Sequence, residues 1–158
     1  MPDPISAPPA GLRRATPAEA GAVRDLTRAA YARWVPVIGR EPRPMTADYD
    51  RAVREHRIDV VERDGRMVAL IELRPEADHL LIVNVAVAPD CQGRGLGRAL
   101  LAHAEAVARG LGLAELRLYT NSRFLENLRL YARLGYAVTH EESLPPLGVV
   151  IHMRRRLD

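Results

Sequence analysis

Apolar residues along this chain recur with two periods, and the switches between them mark its elements. Val23, Leu26, Ala30 and Trp34 follow one another at helical spacing. Thr16, Pro17 and Glu19 start that stripe as a capping box, which predicts a helix to about Arg33. "VPVIGREPRP" then breaks the pattern, and a second helix is expected over 46–56. The period next shortens. "IDVVER" and "RMVALIELR" flank Asp64-Gly65, a pair that tolerates the positive φ of a tight hairpin turn. "HLLIVNVAVA" reads as a long apolar strand, with "GLRRA" as a short first strand. Leu96, Leu100, Leu101, Ala104 and Val107 restore the helical period, predicting a helix over 96–109. "AELRLYT" is a strand, and "LENLRLYARLGY" a helix closed by Gly135. Strands near 136–140 and 148–155 bracket the turn "SLPPLG". The order β-α-α-β-β-β-α-β-α-β-β is that of an α+β fold, not of strict βαβ alternation.

Composition narrows the class. Residues 1–10 hold four of the twelve prolines and are expected to form a flexible tail, leaving 11–158 as a single domain. No apolar run approaches the ~20 residues of a membrane span, and no basic region precedes an apolar core at the N-terminus as in a secretory signal. Cys91 is the only cysteine, so no intrachain disulfide forms; a cytoplasmic protein is expected. All 23 basic residues are arginine, and this usage beside abundant alanine fits a GC-rich bacterial coding bias. It excludes Schiff-base lysines and the lysine of a Walker loop. A net charge of +3 suits a phosphorylated cofactor but is too small to argue for nucleic acid, and aromatics at 4% are too sparse for base stacking. The five histidines and lone cysteine show no metal-ligand spacing, so no metal is expected.

The candidate chemistry lies between the long strand and the helix after it. Gln92, Gly93, Arg94, Gly95, Leu96, Gly97 and Arg98 form a glycine loop opening a helix. A helix start leaves N–H groups unpaired and partially positive, which suits an anion, and glycines let that anion approach the backbone. The dinucleotide fingerprint requires a different glycine spacing, and the Walker loop requires Gly-Lys-Ser/Thr. An ordinary tight turn stands as the bland alternative.

Q-x-x-G-x-G after a strand ending "VAVAPD", followed by "LRLYTN" and "ENLRLYARLGY", resembles the acyl-CoA signature of the GNAT superfamily of N-acetyltransferases. The resemblance runs from Leu12 to near the C-terminus. It implies a GNAT fold: a mixed, mostly antiparallel sheet with a splayed parallel strand pair and helices on both faces. It implies acetyl-CoA as cosubstrate, with its pyrophosphate on the backbone N–H groups of 93–98, Gln92 fixing the loop, and pantetheine pairing with Val85 and Val87 beside a bulge at 85–87. Tyr131 matches the family's general acid, and Asn127, one turn earlier, a cofactor contact.

Two departures matter. Phe124 stands where many relatives carry an asparagine, with Asn121 as a substitute. Leu81 and Val83 stand where relatives carry a basic glutamate. Glu72 is the first substitute base, its bland reading being a solvent-facing hairpin carboxylate; His79 and Asp78 come next, and a water relay is the other route. Tyr31, Trp34 and Tyr49 are expected to bind the acceptor, a small-molecule amine or a protein or peptide amine; Arg40 and Arg43 either grip a carboxylate or phosphate on it or are simply solvated. A homodimer follows from family habit alone. The reading is an N-acetyltransferase acting by direct attack in a ternary complex. A non-catalytic acyl-CoA-binding or sensor domain is the rival, and a protein or tRNA modifier a second.

Overall fold

The computed structural model describes residues 7–146 and 148–158. The expected tail falls largely on residues 1–6, outside the described residues. Strands β1 (Leu12–Arg14), β2 (Arg57–Arg63), β3 (Arg66–Pro75) and β4 (Leu80–Val87) pair antiparallel in succession. β5 (Glu115–Asn121) joins β4 in parallel, while β6 (Ala137–Leu144) and β7 (Gly148–Arg156) complete a seven-stranded sheet in the order β1-β2-β3-β4-β5-β7-β6. The β2–β3 turn closes as expected, Asp64 and Gly65 taking φ of 53° and 74°. β6 runs four residues past its expected end, because it stays paired with β7 to Leu144.

Helix α1 (Ala20–Tyr31) follows a 3-10 turn at Pro17–Glu19. The Thr16 N–H donates to the Glu19 carboxylate at 2.9 Å. Arg13 donates twice to the same group, at 2.7 and 2.8 Å, and is the main reason its pKa falls to about 2. Helical backbone continues past Arg33, through a 3-10 turn and α2 (Val35–Ile38), because Pro36 sits in a first turn where its missing N–H is not needed. Gly39 ends it at φ 75°. The helix expected over 46–56 is two pieces, α3 (Arg43–Thr46) and α4 (Tyr49–Glu55). Ala47 is extended between them, and Asp48 caps α4 by accepting from the Arg51 N–H at 3.1 Å. Helices α5 (Leu96–Gly110) and α6 (Leu125–Arg133) lie close to their expected spans.

Both sheet faces carry helices. Val23 and Leu26 of α1 and Ala52 of α4 pack on Val60, Leu70 and Ala86. Leu100, Ala104 and Val107 of α5 pack on Ile71, Leu73, Leu116 and Met153 on the opposite face.

One irregularity in β4 shapes everything that follows. Leu73 faces Ile82, yet Glu72 faces Asn84, so Val83 is an extra residue on that strand. The bulge expected at 85–87 therefore lies at Val83. A one-residue slip turns later side chains to the other face: Leu80 and Ile82 join the core under α5, whereas Asn84 and Ala86 turn toward α1. Parallel pairing with β5 also ends there, at Ile82 opposite Leu118. Beyond it β4 stays with β3 and β5 stays with β7, and a gap opens between them.

Candidate active site

Backbone polarity of the gap follows from the ladder. Ala88 donates its N–H to the Val68 carbonyl at 2.8 Å. The alternation of an antiparallel pair therefore turns the backbone groups of Val85 and Val87 away from β3 and into the gap. Their carbonyls are taken by side chains. The Tyr31 hydroxyl donates to Val85 at 3.3 Å, and the Gln92 amide donates to Val87 at 3.0 Å, tying the glycine loop to its strand. The Val85 and Val87 N–H groups face the gap, where no further strand pairs with them among the described residues.

The loop's three glycines serve different ends. Gly93 and Gly95 take φ of 76° and 85°, a region other residues avoid. Gly97 lies inside α5 without a positive φ, and a Cβ there would meet nothing within 4 Å. A tight turn explains the first two; it does not explain Gly97, whose missing side chain leaves the backbone at the helix start open. A groove runs from this loop along the gap to α6. Its wall includes Val85, Val87, Gln92, Gly93, Gly95, Leu96, Gly97, Arg98 and Asn127. Of the residues expected to hold the cofactor, only Arg94 lies outside that wall, its side chain exposed.

A second cavity, the cleft, occupies the other side of the gap. Ile82, Asn84 and Leu118 line its floor, and Ile38, Arg40 and Arg43 close over it from the segment 38–44. Groove and cleft share four residues: Tyr31, Val85, Asn127 and Tyr131. Asn127 and Tyr131 are four apart on α6 and so present the same face. Tyr131 packs edge-on against Tyr136, ring centroids 5.9 Å apart, and desolvation pushes its pKa up to about 12. Burial also pushes Tyr31 well above the usual phenol value. Both hydroxyls are thus protonated at neutral pH.

The other expected residues lie elsewhere. Trp34 lines the groove rather than the cleft, stacked on Phe124 at 4.4 Å with the Arg33 guanidinium 4.4 Å above its ring. Tyr49, only 4% exposed, lines neither cavity: its hydroxyl donates to the Pro44 carbonyl at 2.6 Å, tying α4 to the segment before it. Glu72 is not a solvent-facing carboxylate. It is 4% exposed on the α1 side of β3, hydrogen-bonded to His56 Nδ1 at 2.6 Å, and outside both walls. His79 pairs with Asp78 at 2.6 Å and also lies outside both. Asn121 closes the turn after β5 by accepting from the Arg123 N–H at 2.9 Å, and it lines the cleft.

Asn84 is the site residue that sequence reasoning passed over. It lines the cleft at 3% exposure, and its Oδ1 is buried with no hydrogen-bond partner. Its signal was present: one amide in the middle of an otherwise apolar strand.

A bulged strand diverging from its parallel neighbour, over a glycine loop that opens a helix, defines a GNAT acetyltransferase fold. The Acetyltransferase (GNAT) family matches residues 22–136, and the chain belongs to that family of acyltransferases. Mycothiol acetyltransferase of Streptomyces coelicolor is 33% identical over 87 residues, 54% of this chain and 28% of the relative. The [ribosomal protein bS18]-alanine N-acetyltransferase of Escherichia coli is 35% identical over 74 residues, 47% of this chain and 50% of the relative. The chain therefore spans half or less of the length of these relatives. Among solved structures, the PaiA N-acetyltransferase of Thermoplasma acidophilum, in complex with coenzyme A, superposes with a TM-score of 0.75 at 15% identity, over 92% of this chain and 97% of that one. Among the described residues, no helix is long and apolar enough to cross a membrane.

Proposed function

We propose that this chain is an acetyl-CoA-dependent N-acetyltransferase in which an amine attacks the thioester directly within a ternary complex. The observation that carries this reading is the meeting of groove and cleft at Tyr31, Val85, Asn127 and Tyr131. The groove has the chemistry an acyl-CoA requires. N–H groups at the start of α5 suit the pyrophosphate, and the free Val85 and Val87 N–H groups suit the amides of an extended pantetheine. A Val85 N–H facing the gap is also placed to stabilise an oxyanion. Protonated Tyr131 acts as the acid: as the C–N bond forms and the C–S bond breaks, its phenol passes a proton to the departing sulfur. The amine's proton leaves through water, because no carboxylate lines the cleft among the described residues and Glu72 is held by His56.

That same lack of a carboxylate favours a second reading, a binder of acyl-CoA that does not turn over. Calorimetric titration with acetyl-CoA, followed by an amine-dependent assay of released CoA thiol, separates the two. Micromolar binding that disappears in Gly97→Asp, with thiol released on adding an amine, supports the transferase. Binding without release across an amine panel supports the binder, and absence of binding sinks both.

A further inference from the structure

Charge and hydrogen-bond vacancies in the cleft identify a class of acceptor, an inference that rests on the transferase reading. Arg40 and Arg43 both line the cleft, and no aspartate or glutamate does among the described residues. Arg43 is exposed and forms no ion pair with a described residue, whereas its neighbour Glu41 is committed to Arg28 at 2.8 Å. Tyr31 and Tyr131 hold their protons and add no negative charge. A polycationic amine entering here would meet two guanidiniums in the wall, while Glu72, close enough for its charge to be felt at Tyr31, lies outside the wall and is paired with His56. A carboxylate or phosphate would find a guanidinium able to bind it through two parallel hydrogen bonds.

Asn84 lines the same cleft and carries an acceptor atom with no partner. Thr27 spends its hydroxyl proton on the Val23 carbonyl at 2.9 Å, and Tyr49 spends its own on Pro44. Both oxygens can then only accept, and Asn84 Nδ2 lies 3.2 and 3.4 Å from them. This fixes which way the amide points. Its Oδ1 is left buried and unsatisfied, an unfavourable state that an N–H reaching it would relieve. Asn84 adjoins Val85, at the end of the cleft where the groove enters.

We propose that the acceptor is a small amine bearing its own oxyanion, a carboxylate or phosphate, with its nitrogen oriented by Asn84 Oδ1 and its anion held by Arg43. Acetyl-CoA-dependent turnover of the twenty amino acids, their carboxamides, O-phosphoethanolamine and spermidine tests this directly. At least one amino acid or the phosphorylated amine should be acetylated with a kcat/KM about tenfold or more above its neutral counterpart, ethanolamine serving for the phosphate. Amino-acid and phosphate arms identify which oxyanion is read. In Arg43→Gln, that discrimination should fall about tenfold while the acetyl-CoA Kd is retained. In Asn84→Ala, kcat/KM should fall for charged and neutral acceptors alike; where that variant does not fold, Arg43→Gln decides alone. Preference for carboxamides or spermidine, no turnover of any anionic acceptor, or undiminished discrimination in Arg43→Gln overturns the acceptor class and leaves acetyl-CoA binding standing. Failure of the wild-type protein to bind acetyl-CoA overturns the transferase reading and this inference with it.

Discussion

The Tyr31 hydroxyl donates to the Val85 carbonyl oxygen at 3.3 Å, joining the end of α1 to the strand edge where groove and cleft meet. Val85 is thus held by a side chain on one lone pair while its N–H stays open to the gap. Tyr31→Phe removes that tie and leaves the ring in place. The expected cost is about 1 kcal/mol of stability, or roughly 2–4 °C in Tm for a chain of this size. The acetyl-CoA Kd should change little, since the open Val85 N–H is untouched; thermal melts and titration on one preparation check both.

Tyr131→Phe should lower kcat by about a hundredfold with the acetyl-CoA Kd unchanged. Because desolvation raises Tyr131 to about 12, its acid form persists through ordinary alkaline buffers. The wild-type rate should therefore show no alkaline decline from this group below about pH 10. A decline centred near neutrality that vanishes in Tyr131→Phe would contradict the assignment.

Gly95 and Gly97 should separate stability from binding. Gly95→Ala forces a side chain to φ 85° and is expected to cost about 1 kcal/mol. Gly97→Asp has room for its Cβ, so the melt should move far less while acetyl-CoA binding is lost to the carboxylate in the groove. Equal melting losses in the two variants would argue against a binding role for Gly97.

Glu126 is the one acidic residue in the wall of the groove among the described residues, and it pairs with Arg33 across it. Glu126→Gln frees Arg33 and removes a charge that repels a polyanion. The acetyl-CoA Kd should tighten about two- to fivefold at low salt, with the gain shrinking as ionic strength rises.

Asp59 anchors β2 to α5, accepting from Arg14 at 3.0 Å, Arg57 at 2.9 Å and His103 at 2.7 Å. Burial pushes its pKa up, but hydrogen bonds from His103 and Arg57 outweigh that and hold it below the usual value. A depressed folded pKa gives stability that is present above the unfolded value, about 3.9, and lost as pH falls through the folded one. Asp59→Asn should flatten the acid limb of the stability profile. It should also cost roughly 2–3 kcal/mol at neutral pH, because Arg14 and Arg57 reach solvent and rehydrate in part.

Much of the site was legible in order along the chain. The switch from alternating to helical period located the glycine loop between β4 and α5, and the i,i+4 spacing of Asn127 and Tyr131 put both on one face of α6. Parity was only partly a guide. Counting alternate residues back along the strand points to Leu81 and Val83 as inward; Val83 does line the cleft and Leu81 does not, and the extra residue at Val83 brings Asn84 to the α1 face and the cleft as well. Burial was not legible either: Glu72, read as a substitute base or else a solvent-facing carboxylate, sits on a strand covered by its neighbours, interior and bound to His56.

Periodicity, turn chemistry and the glycine loop are local signals, carried by residues a few positions apart, so the chain by itself determined most of its elements, their order and the position of a glycine loop at one helix start. Where the strands part, which side chains then face the gap, and which cavity Trp34 and the arginines of 38–44 enter depend on pairings between residues far apart in sequence. Those were decided only in the folded molecule. A single inserted residue shifts every later side chain to the other face of a sheet, and only the partner strand specifies where that insertion lies.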